Sequence, residues 1–441
     1  MEAEDRKEFE QRSPWTDNKF ADPDALHRGD FLSGPSIGFA PTIGSAIFDL
    51  QFKPQDSSSA KTDALLPTIT FLKTQRDNKA REAQVEKTAG QLADFIKGAN
   101  KSVDIAIYSF NVKDPEAQQK IIDALNDRVE HGVEVRIAYH QNEPRFGPQP
   151  ESVTGGSTDD EKSTNDFLSK LDSKIQAKVH TAVNLPDSLS SDVATEGIKG
   201  NGKLMHNKYI VRDAGTADAA IWTGSTNWTD DAFGTQDNNI IQFKSKELAE
   251  VFETNFQELW ESGDLTNTGT DSHKTVKVGD STVTVAFSPG DGDYIASEIA
   301  RRIEDADHNV HIASMDVSNS KIMKAIIKEL DEGTNVDGVY DLSQMNVVIK
   351  AWEKNNSTDN LEMWERIKPH LIGKEGRGVR EMMHNKVVQI DDKVVVTGSF
   401  NFTSNATKNA ENMMVIENPT VAKQFGTYIN DLVIAYGGNK K

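Results

Sequence analysis

The chain of 441 residues contains one sequence pattern twice, and this internal repeat constrains its fold more than any other feature. Residues 103–106 read VDIA and residues 310–313 read VHIA, at an offset of 207 residues. Solenoid proteins repeat at a much shorter period, of roughly 20–50 residues. The pattern therefore predicts two domains of one fold that pack together.

Hydrophobic periodicity predicts the same order of elements in both copies. In the first copy it predicts helices over 86–99 and 115–130 and strands over 102–110 and 133–139. In the second copy it predicts helices over 293–306 and 321–332 and strands over 309–315 and 345–351. Because strands alternate with helices, we expect an α/β fold of two homologous half-domains. Each would be a mixed, mostly parallel β-sheet flanked by helices, and the two would pack pseudo-symmetrically.

The same comparison predicts the boundaries of the two halves. We expect an irregular N-terminal arm over 1–64, a first half over 65–265, a linker over 266–280 and a second half over 281–441. From the repeated strand to the M-H-N-K segment described next, the first half is 29 residues longer than the second. This difference predicts a surface insertion near 141–203. A G-x-S-x-G sequence at 34–38 is interpreted as a turn, since nearby prolines break the helix that a serine-hydrolase elbow needs.

The repeat is most exact in two polar segments. Residues 205–208 and 383–386 both read M-H-N-K, an aspartate follows five residues after the lysine, and each copy continues into G-S-x-N. The candidate residues are His206, Lys208, Asp213, Ser225 and Asn227 in the first copy, and His384, Lys386, Asp391, Ser399 and Asn401 in the second. Asp237 and Glu411 each follow the matching serine by twelve residues. One such motif is weak evidence, whereas two copies at matched spacing are a strong signal.

These residue types suit the chemistry of a phosphodiester. Histidine titrates near neutrality, so one histidine could attack phosphorus while the other donates a proton to the leaving oxygen. Lys208 and Lys386, helped by Asn227 and Asn401, could hold the non-bridging oxygens and stabilise the charge of the transition state. We expect Asp213 and Asp391 to bond backbone groups at a turn, as aspartates at strand ends commonly do.

The duplicated H-x-K-x4-D and G-S-x-N motifs resemble those of the phospholipase D superfamily over residues 65–435. The resemblance implies phosphodiester chemistry without a metal or another cofactor. It implies that His206 is the nucleophile, which forms a phosphohistidine, and that His384 is the general acid; the pseudo-symmetry leaves the swapped roles open. Glu411 matches the carboxylate that orients a motif histidine, and Asp237, one methylene shorter, takes that place in the first copy.

The substrate stays open between a phospholipid and a nucleic acid. With 49 Lys+Arg against 69 Asp+Glu the net charge is −20, which disfavours a long polyanion and favours a phospholipid. Peripheral contact with a membrane would then be compatible with the activity, and its candidate aromatic residues are Trp228, Phe233 and Phe402. The style of the motif favours a nuclease instead. A basic cluster before the second motif is either a solvated, ion-paired surface or a phosphate-binding rim that would serve a lipid and a nucleic acid alike; it comprises Arg366, Lys368, Lys374, Arg377 and Arg380. A catalytically inactive binding or scaffold protein is a third class, disfavoured because both motifs are complete.

Composition limits the remaining possibilities. The chain has no cysteine, which excludes disulfides, thiolate catalysis and cysteine zinc sites. No apolar run approaches the roughly 20 residues that cross a bilayer, and the first residues lack a secretory signal pattern. We expect a cytoplasmic protein by default, or a secreted one if a signal peptide has been removed. We also expect a monomer, because one chain carries both motifs.

Overall fold

A computed structural model describes residues 66–141, 194–270, 273–376 and 381–437. The predicted N-terminal arm, the G-x-S-x-G sequence and most of the predicted insertion lie outside these ranges. The described residues form two large mixed β-sheets, each of eight strands, with helices against them. The predicted α/β fold of two related halves is confirmed.

The first sheet has the strand order β1-β9-β7-β6-β2-β4-β5, and the short strand β15 pairs with β9. Its strands are β1 (Thr68–Leu72), β2 (Ser102–Ile107), β4 (Glu134–Gln141), β5 (Ala194–Lys199), β6 (Lys208–Arg212), β7 (Ala220–Gly224), β9 (Gln236–Lys244) and β15 (Met382–Met383). Strands β3 (Phe110–Asn111) and β8 (Trp228–Thr229) form a separate small pair. Strand β15 belongs to the second half of the chain, so the first sheet is completed by the other half.

The second sheet has the strand order β10-β11-β18-β17-β16-β12-β13-β14. Its strands are β10 (Lys274–Val278), β11 (Ser281–Ser288), β12 (Asn309–Ser314), β13 (Asn335–Asp341), β14 (Leu371–Lys374), β16 (Lys386–Ile390), β17 (Val394–Gly398) and β18 (Glu411–Glu417). Strand β10 lies within the 266–280 segment predicted as a linker. The linker is therefore shorter than the sequence predicts, because the alternating residues of β10 pair antiparallel with β11.

Helices cover both sheets. They are α1 (Asn78–Lys97), α2 (Pro115–Glu130), α3 (Asp230–Gly234), α4 (Lys246–Ser262), α5 (Gly292–Glu304), α6 (Ser320–Glu332), α7 (Leu342–Lys354), α8 (Thr358–Ile367) and α9 (Pro419–Ala435), with 3-10 turns at Lys368–His370 and Ala406–Lys408. Helices α1 and α2 share one apolar core with the first sheet, and α5 and α6 share another with the second. A third core joins α4, α9 and residues of both sheets, so the two halves are packed against each other through buried apolar surface.

Both sheets are mixed, with parallel and antiparallel pairs of strands. In the first sheet, parallel pairing joins β2 with β4, β4 with β5 and β15 with β9, and in the second it joins β12 with β13 and β13 with β14. The neighbours that carry the motifs run antiparallel, as in the pairs β6–β7 and β16–β17. The reason is local: only a few residues connect these strands, and a parallel pair needs a longer crossover.

The predicted strand over 345–351 is wrong, since these residues lie in helix α7. Asp341 caps this helix, because its side chain accepts a hydrogen bond from the backbone nitrogen of Gln344. The strand in this part of the chain is β13, which contains Gly338 at a φ of 148°. A Cβ atom on Gly338 would lie 1.9 Å from the backbone oxygen of Ile312, so the glycine permits close pairing with β12.

Candidate active site

The two M-H-N-K segments meet where the halves join. The backbone nitrogen of His206 donates to the oxygen of Ala410 at 2.8 Å, and that of His384 donates to the oxygen of Asp237 at 3.0 Å. Each histidine therefore comes from one half and is hydrogen-bonded to a residue of the other half. Ala410 lies directly before β18, and Asp237 is the second residue of β9. The site needs both halves of the chain.

The two histidines have different side-chain partners. The Nδ1 atom of His206 lies 2.7 Å from Oε2 of Glu411, which is fully buried. The Nδ1 atom of His384 lies 2.9 Å from the amide oxygen of Asn238. With its proton on Nδ1, each ring donates to its partner and leaves Nε2 for chemistry. One histidine thus faces a carboxyl group and the other an amide.

Asp237 does not take the place predicted for it, because Asn238 contacts His384 instead. The first copy has one more residue between the serine and its hydrogen-bond partner in the next strand. The backbone nitrogen of Ser225 donates to the oxygen of Asn239, whereas that of Ser399 donates to the oxygen of Asn412. Asp237 accordingly aligns with the residue before Glu411. Its carboxylate binds Lys374 at 2.8 Å, and both of these side chains are fully buried.

The motif serines hold the partners of the histidines. The hydroxyl of Ser225 donates to the amide oxygen of Asn238 at 2.8 Å, and the backbone nitrogen of Asn412 donates to the hydroxyl of Ser399 at 2.9 Å. A hydrogen bond from Ser399 also lowers the pKa of Glu411, although burial raises that pKa more strongly, to about 7. The two serines therefore stabilise the geometry of the histidine partners.

The two motif lysines are buried beside the histidines. The ammonium of Lys208 donates to the backbone oxygen of His206 and that of Lys386 to the backbone oxygen of His384, both at 2.6 Å. Burial lowers the pKa of Lys208 well below its ordinary value and that of Lys386 to about 7. A bound anion would oppose this effect and favour the charged ammonium groups.

The electrostatics show that all four groups share one site. Burial, followed by the charges of Lys208 and Lys386, lowers the pKa of His206 well below its ordinary value. Burial and the same two lysines lower the pKa of His384, and His206 contributes to that shift. Both imidazoles are therefore neutral near pH 7 until an anion binds.

The motif asparagines have unused hydrogen-bonding capacity. The side-chain oxygens of Asn227 and Asn401 are buried and have no hydrogen-bond partner among the described residues. Buried amides are normally satisfied, so an unsatisfied pair within the motif points to a ligand that completes it.

Asp213 and Asp391 serve the backbone at the far ends of the motif strands. Asp213 accepts hydrogen bonds from the backbone nitrogens of residues 100–102, and Asp391 accepts them from residues 307–309. Both have positive φ, of 56° and 51°. They secure the start of β2 and of β12, in agreement with the expected turn chemistry.

Sequence reasoning missed several residues that border the site. His140 accepts a hydrogen bond from the backbone nitrogen of Met205, and Asp341 accepts one from Met383, so these two residues occupy equivalent places. Tyr108 packs against His206, with 4.8 Å between ring centroids. Asp316 lies near enough to Lys386 to raise the pKa of that lysine. Extending the repeat alignment from VDIA and VHIA would have found Tyr108 and Asp316.

Neither the candidate aromatic residues for membrane contact nor the described members of the basic cluster form an open binding surface. Trp228, Phe233 and Phe402 are buried in the core. Within the basic cluster, Arg366 is paired with Asp331, Lys368 lies 3.9 Å from Glu365 and Lys374 binds Asp237. Arg377 and Arg380 lie outside the described residues. In the ranges that the structure describes, no helix is long and apolar enough to span a membrane.

Comparison with known proteins agrees with this geometry. The family model described as "Cardiolipin synthase, PLD-like domain" matches residues 92–260 and 299–433. A phospholipase D from Rickettsia conorii is 32% identical over 146 residues, which cover 33% of this chain and 66% of that protein. One from Rickettsia prowazekii is 29% identical over 163 residues, covering 36% of this chain and 72% of that protein. The chain thus spans about two thirds of the length of the curated relatives it matches.

Solved structures extend the comparison to most of the chain. Phosphatidylserine synthase from Haemophilus influenzae has the same fold, with a TM-score of 0.55 at 13% identity over 85% of this chain and 90% of that one. The phospholipase D family member Nuc from Salmonella typhimurium is 27% identical, with a TM-score of 0.29, over 34% of this chain and 93% of that one. The family model covers more than half of the chain in two segments, each of which contains one M-H-N-K motif. The chain therefore belongs to the phospholipase D superfamily.

Proposed function

We propose that this protein is a metal-independent phosphodiesterase that hydrolyses or transfers the phosphatidyl group of phospholipids. The observation that carries the proposal is the meeting of two histidines and two lysines, one of each from each half, in a single buried site. Two general acid–base groups and two cations are what an in-line displacement at phosphorus requires. Because each histidine takes its partner from the other half of the same chain, a monomer suffices for the activity.

The reaction has two displacements. In the first, Nε2 of His206 attacks phosphorus, the bond to the leaving oxygen breaks, and protonated His384 gives that oxygen its proton. The product is a covalent phosphohistidine and a free alcohol. In the second, His384 removes a proton from water or from another alcohol, which attacks phosphorus and releases His206. Water yields hydrolysis, and an alcohol yields transfer of the phosphatidyl group.

The unequal partners of the histidines support this division of roles. A carboxylate at Nδ1 stabilises the cationic imidazole of a phosphohistidine, and Glu411 is placed to do so for His206. The amide of Asn238 stabilises a cation less, which makes protonated His384 the stronger acid. The geometry thus favours His206 as nucleophile over the swapped assignment.

The lysines and asparagines supply the positive charge and hydrogen bonds for the phosphate. Lys208 and Lys386 lie beside the histidines that they follow in sequence. The side chains of Asn227 and Asn401 offer amide N–H groups as hydrogen-bond donors. Fixed donors in a buried site stabilise developing charge more than donors in water do. These four residues are the proposed clamp on the non-bridging oxygens.

A phospholipid is preferred over a nucleic acid on grounds of charge. The chain carries a net charge of −20, and the described members of the basic cluster are ion-paired with acidic residues. Nucleic acids bind chiefly through lysines and arginines that are free to neutralise successive phosphates. The curated relatives named phospholipase D support the same choice.

A parallel assay on phosphatidylcholine vesicles and on single- and double-stranded DNA tests the proposal. We expect phosphatidic acid from the vesicles, no DNA cleavage, and loss of about a thousandfold or more of the lipid activity in His206→Ala and in His384→Ala. Histidine-dependent DNA cleavage without lipid turnover would replace the proposal with a nuclease. Absence of both activities would favour a binding protein.

A further inference from the structure

The two sides of the active site carry different chemistry at equivalent positions. The backbone nitrogens of Tyr108 and Met315 donate to the oxygens of Asn207 and Asn385, at 2.9 and 3.0 Å, so these two residues correspond. The next residue is Ser109 in the first half and Asp316 in the second. The second half therefore places a carboxyl group where the first half has a hydroxyl.

Asp316 is buried without the partner that a buried carboxyl group normally has. Its exposed fraction is 5%, and its Oδ1 atom has no hydrogen-bond partner in the described part of the chain. Burial raises the pKa of Asp316 more than the charge of Lys386 lowers it, but the ammonium group of that lysine donates its hydrogen bond to the backbone oxygen of His384. A buried polar oxygen without a partner is costly, and within an active site it indicates a group that a ligand satisfies.

Asp316 lies on the side of the site from which the alcohol would leave. Strand β12 pairs with β16 so that Ser314 faces Lys386, and beyond the end of β12 the backbone nitrogen of Met315 donates to the oxygen of Asn385. Asp316 therefore follows a residue that is bonded to the segment carrying His384. In an in-line displacement the leaving oxygen is opposite the nucleophile and next to the acid. With His206 as nucleophile and His384 as acid, the departing head group lies on the side of Asp316.

We propose that Asp316 determines head-group specificity by accepting a hydrogen bond from a hydroxyl or ammonium group on the departing alcohol. The inference rests on the proposed lipid function. It predicts a preference for head groups that carry a hydrogen-bond donor, such as ethanolamine or glycerol, over choline, whose quaternary ammonium has none. On the side of His206, the ring of Tyr108 packs against the rings of His140 and His206.

The test compares kcat/KM on vesicles of phosphatidylethanolamine, phosphatidylglycerol and phosphatidylcholine within each variant. Asp316→Ser installs the residue found at the equivalent position of the first half, Asp316→Asn keeps the size and one acceptor oxygen, and Ser109→Ala is the matched control. We expect the ratio of ethanolamine to choline lipid to fall about 10- to 100-fold in Asp316→Ser, the loss of a hydrogen bond to a charged group. Asp316→Asn should lower the ratio of ethanolamine to choline lipid more than the ratio of glycerol to choline lipid. Ser109→Ala should change neither ratio.

Ratios within one variant separate specificity from an overall loss of activity or folding. Unchanged ratios in both Asp316 variants would overturn the proposal. So would an equal loss on all three lipids that is reversed at lower pH, since Asp316 would then only support the charge of Lys386. If the wild-type protein turns over none of the lipids, the proposed function itself fails, which is a separate and recognisable result.

Discussion

The Nδ1 atom of His206 lies 2.7 Å from the buried carboxyl group of Glu411, and the two residues come from opposite halves of the repeat. The corresponding atom of His384 lies 2.9 Å from the amide oxygen of Asn238. The repeat thus builds two histidine sites with the same backbone and different electrostatics. In the proposed mechanism, this difference of one residue type separates the histidine that carries the covalent bond from the one that gives up a proton.

Asn238→Asp should raise the pKa of His384, because a carboxylate favours the protonated ring more than an amide does. The general acid then stays protonated to higher pH, so the alkaline limb of the kcat/KM profile should move upward, by about one pH unit. A pH profile on a soluble phosphodiester measures this shift, with thermal unfolding as the control for folding. A limb that stays in place or moves to lower pH would contradict the assignment of His384 as the acid.

Lys208→Met and Lys386→Met should each lower kcat about 100- to 1,000-fold, since each removes a cation from the proposed phosphate clamp. Because these lysines supply the positive charge, activity in EDTA should equal that in untreated enzyme. Steady-state assays of the dialysed protein with and without EDTA check both points. Loss of turnover in EDTA that added metal restores would contradict the metal-independent mechanism.

Lys374 and Asp237 form a buried ion pair that joins β14 of the second sheet to β9 of the first. Removal of one partner leaves an uncompensated buried charge, so Lys374→Met or Asp237→Asn should each lower the free energy of unfolding by about 3–5 kcal/mol. The double variant should lose less than the sum of the two. Urea unfolding measures this, with the exposed pair Lys393–Asp307 as a control whose removal should leave the free energy of unfolding almost unchanged. Additive losses at Lys374 and Asp237 would show that the pair is not coupled.

Asp104 gives the stability of the protein a defined dependence on pH. Burial raises its pKa from 3.8 to about 8, against the hydrogen bond from Arg136 and with help from Glu253. The folded state therefore holds a proton that the unfolded state releases near pH 4, and stability is lost as the pH rises from about 4 to 8. Asp104→Asn should lose less stability over this range than the wild type, by the order of a few kcal/mol, in urea unfolding at pH 5 and pH 8.5. Equal losses in both proteins would contradict the raised pKa.

The sequence predicted the repeated motifs and most elements because periodicity and residue spacing are local properties. It failed at 345–351, where a run of apolar residues fits either a strand or a buried helix and the cap at Asp341 decides for the helix. It also matched Asp237 with Glu411, because an equal count of residues after the serine hid a one-residue difference in the loop. The register of β9 against β7 and the partner of each histidine depend on tertiary pairing, which spacing alone does not specify.

The environment of Asp316 also could not be predicted from the sequence. Its position follows from the repeat alignment, whereas its burial and its unsatisfied oxygen depend on how β12 and β16 pack. A carboxyl group near Lys386 could have been an ordinary ion pair. The ammonium group of Lys386 instead donates its hydrogen bond to the backbone oxygen of His384.

Trapping of the covalent intermediate tests the two-histidine mechanism most directly. In His384→Ala, a phosphatidyl ester of p-nitrophenol needs no acid to leave, while hydrolysis of the intermediate lacks its base. We predict a burst of about one equivalent of p-nitrophenol, and mass spectrometry should locate the phosphatidyl group on His206; His206→Ala should give no burst. A burst in His206→Ala with the adduct on His384, or turnover with no histidine adduct in any variant, would contradict the mechanism.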